Sequence, residues 1–335
     1  MINEMFRSRI IGTGSYIPES ILTNNHLEQI VATSDDWIVK RTGIKQRRIA
    51  KEGQYASDMA LKAAEEALVM AGIPASLIDL IVVGTVTPDR QFPSCACTLQ
   101  HKIGANKAAA MDVSAGCSGF VYALSVANNA IRCAEADYAL VVGTEVLSSV
   151  TNWNDRGTCV LLGDGAGAVV LRKTTDDTGI RSIHLKSDGS FSDLLYSVDE
   201  FAPRPNPNVL SRKNQVKPYY LVMDGHKVFK RAVQCLEEIA LMTLERAKVG
   251  IEELSLIIPH QANIRIIKAL IQRLGISIDN VCITIEKYGN TSSASIPIAL
   301  NEARKMGRLA SLDKVLMVTF GAGLTWGASL VEWNP

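Results

Sequence analysis

The sequence predicts an α/β protein built from two copies of one design, on three observations. Short apolar runs rich in Val, Ile and Leu alternate with longer segments of helical period. The runs are apolar without interruption, which marks strands covered on both faces by helices rather than strands with one wet side. The second half of the chain also repeats the pattern of the first.

The elements follow in order. "SDMALKAAEEALVMAG" (57–72) has helical spacing and ends on glycine, and it leads to a strand in "LIDLIVVG" (77–84). In "PSCACTLQHKIG" (93–104), Cys95 and Cys97 alternate along an apparent loop or strand and read as packing. "AAAM" runs into "DVSAGCSGF" (112–120), and "VYALSVANNAI" continues as helix before the strand "YALVVG" (138–143). After "GAVVLR" (167–172), the polar "KTTDDTG" suits a crossover, dividing the chain into halves 1–175 and 176–335. "YSVDEFAPRPNPNVLSRKNQVK", about residues 195–218, has three prolines and no periodicity, as expected of a flap over an entrance. The second half continues with helix 226–248 and strands "LSLIIP" (254–259) and "KVLMVTF" (314–320).

A shift of 176 residues sets "IDLIVVG" (78–84) on "LSLIIPH" (254–260) and residues 114–142 on 290–318 without a gap. Ala123 meets Ala299, Leu124 meets Leu300 and Arg132 meets Arg308. Cys117 then corresponds to Ser293, Ser114 to Asn290 and Gly84 to His260. Cys117, His260 and Asn290 all fall at strand-to-helix junctions on the same end of a predicted parallel sheet, the end where α/β proteins bind ligands.

Composition narrows the class. With 335 residues and 47% hydrophobic, the chain is long and apolar enough for a large core. A net charge of +1 argues against a protein whose main task is gripping nucleic acid. The start lacks a leader's apolar region, and no apolar stretch reaches the roughly 18–20 residues of a membrane span, so a cytoplasmic protein is expected. Seven cysteines without a C-x-x-C pair read as reduced thiols, neither a disulfide frame nor a zinc site.

Each member of the triplet has a bland reading as well. Cys117 reads as a small buried filler, or as a nucleophile whose thiolate is favoured by a helix N-terminus and whose small neighbours clear a path for substrate. His260, in "PHQAN", reads as a structural histidine, and Asn290, in "YGNTSSAS", as a capping turn. Together, at one sheet end, they read as a site. "GDGAGA" (163–168) has neither the G-x-G-x-x-G spacing nor a Walker lysine and reads as a glycine turn against another backbone.

"DVSAGCSGF", "PHQANIRI", "KYGNTSSAS" and "TFGAGLTWGASL" resemble the signature segments of the β-ketoacyl-acyl carrier protein synthase III family, and the similarity runs nearly end to end. The resemblance implies a thiolase-like fold: two pseudo-symmetric βαβαβαββ halves in an α-β-α-β-α layering. It implies a decarboxylating condensation of an acyl-CoA primer with malonyl-acyl carrier protein, initiating fatty acid synthesis. Cys117 would carry the acyl group as a thioester, and His260 and Asn290 would stabilise the decarboxylating malonyl thioester. The amides of Cys117 and Ala322 would form an oxyanion hole. Trp37, Arg41, Arg156 and Asn263 would hold coenzyme A, which is a substrate here; no cofactor or metal is implied. Lys230, Gln261, Ala262, Asn263, Ile264 and Arg265 would dock the carrier protein, with Lys227 making that patch more basic. Phe92 would reach across a homodimer into the partner's acyl pocket. The alternative is a same-fold starter or condensing enzyme of secondary metabolism, of quinolone or polyketide type, using malonyl-CoA. Primer length stays open.

Overall fold

The computed structural model describes residues 6–198 and 220–335. The flap expected at about 195–218 falls largely outside these residues. In chain order the strands are β1 (Arg7–Tyr16), β2 (Ser20–Thr23), β3 (Gln46–Ile49), β4 (Leu80–Gly84), β5 (Ala109–Val113), β6 (Tyr138–Glu145), β7 (Gly165–Thr174), β8 (Gly179–Ser187), β9 (Leu195–Val198), β10 (Tyr220–Met223), β11 (Leu256–Pro259), β12 (Lys314–Gly321) and β13 (Thr325–Glu332). The helices are α1 (Asn24–Glu28), α2 (Asp35–Thr42), α3 (Ala56–Ala71), α4 (Cys95–Ile103), α5 (Gly119–Arg132), α6 (Gly225–Ala247), α7 (Ile264–Leu274), α8 (Ile285–Tyr288) and α9 (Ser295–Lys305).

Two sheets organise the molecule, one ordered β1-β7-β6-β4-β5 and the other β11-β12-β13-β8. The 176-residue shift carries β4 onto β11, α5 onto α9 and β6 onto β12 at their first residues. Alternate strand residues face opposite ways, so each sheet feeds two cores. Val82 and Val141 of one sheet, with Leu256, Ile258 and Met317 of the other, pack on Phe120 and Leu124 of α5 and Ile296 and Leu300 of α9. The outward residues Ile81, Val83 and Leu140 pack on Met59, Ala60 and Ala63 of α3, and Ile257, Leu316 and Val318 on α6 and α7. Helices therefore lie outside both sheets and between them, five layers in all. Each buried aliphatic side chain contributes about 1.5–3 kcal/mol, which explains why the uninterrupted apolar runs are strands.

Three local readings are corrected. The sheets are mixed rather than wholly parallel: β4 is parallel to β5 and β6, and β11 to β12, but β1, β7, β13 and β8 pair antiparallel. The three residues between β12 and β13 permit only a hairpin, and a hairpin is antiparallel. Cys95 and Cys97 lie on α4, where Ser94 accepts the Cys97 N–H as an N-cap, with Cys95 buried and Cys97 exposed. Finally, residues 195–198 form a strand, paired with β10, before the undescribed segment.

Candidate active site

Cys117 sits in the tight turn between β5 and α5. The Ser118 and Gly119 amides bond to the Ala115 and Gly116 carbonyls at 3.1 and 3.0 Å, and Gly116 takes the left-handed φ of +55° that this turn needs. The β12–β13 hairpin of the other half pins the turn. Thr319 Oγ1 donates to the Cys117 carbonyl at 3.0 Å and Thr325 Oγ1 to that of Ala115 at 2.8 Å. A Cβ on Gly321 would lie 2.5 Å from the Cys117 nitrogen, and one on Gly116 would lie 2.6 Å from the Ala322 nitrogen. The Cys117 and Ala322 amides are thus brought into one place, and neither donates to another described residue.

The helix end does not decide the ionisation of Cys117. Burial, reinforced by the buried Glu145 carboxylate, pushes its thiol from 9.0 up to about 12. A helix N-terminus is worth about 0.3–1 kcal/mol, whereas three pKa units correspond to about 4 kcal/mol, so desolvation wins. The helix N-terminus by itself therefore does not hold Cys117 as a thiolate.

His260 follows β11 and is buried, its Nδ1 2.7 Å from Ser295 Oγ at the start of α9. Ser295 Oγ also accepts the Gln261 N–H at 3.3 Å. Burial lowers the His260 pKa from 6.5 to about 3, so the ring is neutral. Asn290 is held at both backbone groups: its N–H donates to Leu161 O at 2.8 Å and its carbonyl accepts from Gly163 N–H at 3.0 Å. Its Oδ1 accepts the Ser292 N–H at 2.8 Å, leaving the amide NH₂ as its remaining side-chain donor. Gly163 comes from "GDGAGA", and a Cβ there would lie 2.3 Å from Tyr288 O; the glycine turn packs on the backbone before Asn290.

One cavity of about 270 Å³ brings Cys117, His260 and Asn290 together with Trp37, Arg41, Asn263 and Arg265. Arg41 and Arg265 are exposed and His260 is buried, so it leads inward from the surface. Arg156 lies 4.8 Å and Arg41 5.5 Å from the Trp37 ring centroid. Asn263 is also the N-cap of α7, accepting the Arg265 N–H at 2.9 Å. A second cavity of about 220 Å³ shares Cys117 and Asn290 and is walled by Val86, Leu147, Val150, Leu162 and Leu221.

The basic surface is partly as expected. Lys230 and Arg265 are exposed, and the Arg265 guanidinium stacks on Phe229 of α6 at 5.5 Å. Ala262 and Ile264 are half-buried. Gln261 is fully buried and cannot meet a docking protein. Its amide donates to Pro259 O and Cys282 O, and its oxygen accepts from Thr284 and Ile285, clamping β11 to α8. Lys227 pairs with Asp224 at 3.0 Å, which offsets the charge it was expected to add. Phe92 is 83% exposed.

Three polar residues beside the site were not singled out from the sequence: Ser295, Ser292 and Glu145. The repeat carried the signal for two, since it sets Ser292 opposite Gly116 and Glu145 opposite Gly321. Among the described residues, no three His, Cys, Asp or Glu side chains could hold a metal together.

Residues 111–189 match the family profile described as 3-oxoacyl-acyl-carrier-protein synthase III, and residues 244–333 match its C-terminal counterpart. The chain is 47% identical over 328 residues to the β-ketoacyl-acyl-carrier-protein synthase III of Clostridium perfringens, covering 98% of this chain and all of that one. The crystal structure of 3-oxoacyl-acyl-carrier-protein synthase III from Aquifex aeolicus matches with a TM-score of 0.90 at 47% identity, over 97% of this chain and 100% of that one. The priming β-ketosynthase of the R1128 polyketide biosynthetic pathway matches with a TM-score of 0.91 at 35% identity, over 98% and 97%. A thiol, a neutral imidazole and a carboxamide on one cavity, in a two-sheet thiolase-like fold shared over nearly the full length, place this chain in the 3-oxoacyl-acyl-carrier-protein synthase III family.

Proposed function

We propose that this protein catalyses the condensation that initiates fatty acid synthesis, joining an acyl-CoA primer to malonyl-acyl carrier protein with loss of carbon dioxide. The observation that carries the reading is the single cavity joining Trp37 and Arg41 near the surface to Cys117, His260 and Asn290 within. Trp37 and the arginines offer stacking and charge for a nucleotide, and Asn263 a polar group along the arm that follows. Cys117 attacks the acyl thioester, with the paired amides of Cys117 and Ala322 receiving the carbonyl oxygen. The apolar second cavity suits the acyl chain.

Decarboxylation builds negative charge on the malonyl thioester oxygen, and two neutral donors suit a charge that exists only briefly. Asn290 offers its NH₂. For His260, a Ser295 hydroxyl that accepts from Gln261 and donates to Nδ1 leaves the ring proton on Nε2, which makes that nitrogen a donor. The exposed Lys230 and Arg265, the latter stacked on Phe229, form the docking patch for an acidic carrier protein.

The active form is a homodimer. β5 is the open edge of its sheet, with Met111 42% exposed, and Phe92 stands out just ahead of α4, which packs on β5. Pairing of two such edges would cover them.

Intact-mass measurement after incubation with acetyl-CoA tests the central step. An acetyl adduct is expected on the wild type and absent in Cys117→Ala; no adduct from any acyl-CoA rejects the reading. The likeness to a polyketide priming ketosynthase favours one alternative, a starter enzyme of secondary metabolism. Condensation with malonyl-CoA but not malonyl-carrier protein would select it.

A further inference from the structure

Ser292 is one of the few residues other than glycine with a left-handed backbone, at φ +48°. Its counterpart in the first half is Gly116, at φ +55°, the residue type that takes this conformation without strain. A serine stays at such a φ only where its surroundings hold it there.

The effect of that backbone is felt at Asn290. The Ser292 N–H donates to Asn290 Oδ1 at 2.8 Å. An N–H facing a carboxamide is met by its oxygen, so this bond fixes the opposite side of the group as the NH₂. The bonds to Leu161 and Gly163 pin only the Asn290 backbone and leave its side chain free to turn. Ser292 therefore sets the direction in which Asn290 donates.

Glu145 is what holds Ser292. Ser292 Oγ donates to Glu145 Oε1 at 3.0 Å. Glu145 ends β6 and is fully buried. Its Oε2 accepts from three groups just after β4: Thr87 Oγ1 at 2.6 Å, the Val86 N–H at 3.1 Å and Thr85 Oγ1 at 3.2 Å. Thr87 Oγ1 also accepts the Val146 N–H, and Thr85 Oγ1 the Thr87 N–H, so each hydroxyl keeps its proton for the carboxylate. Ser293 Oγ lies 2.9 Å from Oε1 and 2.7 Å from Gly84 O, tying the next residue to the same strand ends. The backbones meet there as well, since a Cβ on Gly143 of β6 would lie 2.4 Å from Ser293 O. The repeat shows the two residues as a pair. Ser292 corresponds to Gly116 and Glu145 to Gly321, so the half without the strained serine also lacks the carboxylate.

We propose that Glu145 is a positioning residue for decarboxylation: through Ser292 it holds the Asn290 carboxamide with its NH₂ toward the malonyl thioester oxygen. The inference rests on the donor role given to Asn290 above. Glu145 touches no substrate and moves no proton. Its two oxygens join the ends of β4 and β6 to the turn of the other half, and the Ser292 hydroxyl passes the constraint to the backbone amide that orients Asn290.

Two pairs of variants test this, with carbon dioxide release from malonyl-acyl carrier protein as the readout. Ser292→Ala and Ser292→Gly both lack the hydroxyl, but only alanine is strained at φ +48°. Ser292→Ala should lower kcat about tenfold with KM within about twofold, and Ser292→Gly should be at least about threefold faster than Ser292→Ala. Glu145→Met removes the tether and should also cost about tenfold. Glu145→Gln can turn its oxygen to the three donors after β4 and its NH₂ to both serine oxygens, so it should be at least about threefold faster than Glu145→Met. Acetylation of Cys117 by acetyl-CoA, which does not use Asn290, should slow less than about twofold in Ser292→Ala. Wild-type kcat in Ser292→Ala, glycine no faster than alanine, glutamine no faster than methionine, or acetylation falling in step with decarboxylation overturns the positioning role. Crystal structures of the Ser292 pair decide it without turnover. Alanine should leave the left-handed region and lose the bond to Asn290 Oδ1, glycine should keep both, and an unchanged turn in Ser292→Ala rejects the proposal. A wild type that releases no carbon dioxide would reject instead the function proposed above, while the two crystal structures still decide whether Ser292 orients Asn290.

Discussion

At His260 burial acts against the charged ring, and the consequence is a pH dependence of stability. The folded pKa is about 3 against 6.5 for the free side chain. Between those values the unfolded chain binds a proton that the folded chain does not, so stability falls as pH drops from 6.5 toward 3. From pH 7 to 4.5 this residue should cost the wild type roughly 2–3 kcal/mol, which His260→Gln would not lose. Urea unfolding of both proteins at the two pH values measures the difference; parallel losses would refute it. Above pH 5 the ring stays neutral, so the decarboxylation half-reaction should show no limb belonging to His260. "PHQAN" named the residue, but its charge state comes from β11 and α9 closing over it.

Helix α2 and helix α7 meet at a single glycine. Gly43 ends α2 at φ +79°, and a Cβ there would lie 2.7 Å from the Ile264 Cβ at the start of α7. Gly43→Ala must bear both a left-handed alanine, about 1–2 kcal/mol, and displacement of Ile264. A destabilisation of about 2–3 kcal/mol is expected, read as a fall of several degrees in Tm. Trp37 and Arg41 lie on α2, so the KM for acyl-CoA should rise as well. On α7 itself, Ile266, Ile267, Leu270 and Leu274 are buried while Arg265 and Lys268 face solvent. Arg265→Glu should therefore leave the fold and acetyl transfer intact while weakening the malonyl-carrier-protein half-reaction about tenfold or more. Equal losses in both half-reactions would count against docking. The helical period showed which face of α7 is apolar, but not that neighbouring Gln261 turns inward, because it lies in the loop before the helix where no period applies.

For the whole molecule, β5 is an open sheet edge, which the proposed homodimer would cover. Met111→Lys puts a charge on that edge without touching the buried core, so the chain should fold but remain a monomer near 36.3 kDa by light scattering. Acyl transfer should fall with it if Phe92 of the partner completes the pocket. A dimer of Met111→Lys with full activity would place the interface elsewhere. Along the chain, the sequence by itself determined the repeated elements of the two halves, β4, α5 and β6 with β11, α9 and β12, because apolar period is local. It also determined Cys117, His260 and Asn290 as one group, because the repeat aligns their junctions. Only the tertiary structure decided that the sheets are mixed and that desolvation works against a Cys117 thiolate. Only it showed that Gln261 is a clamp and that Glu145 stands behind Ser292. Each of these depends on desolvation or hydrogen bonding between segments 20 to 200 residues apart, which no local pattern records.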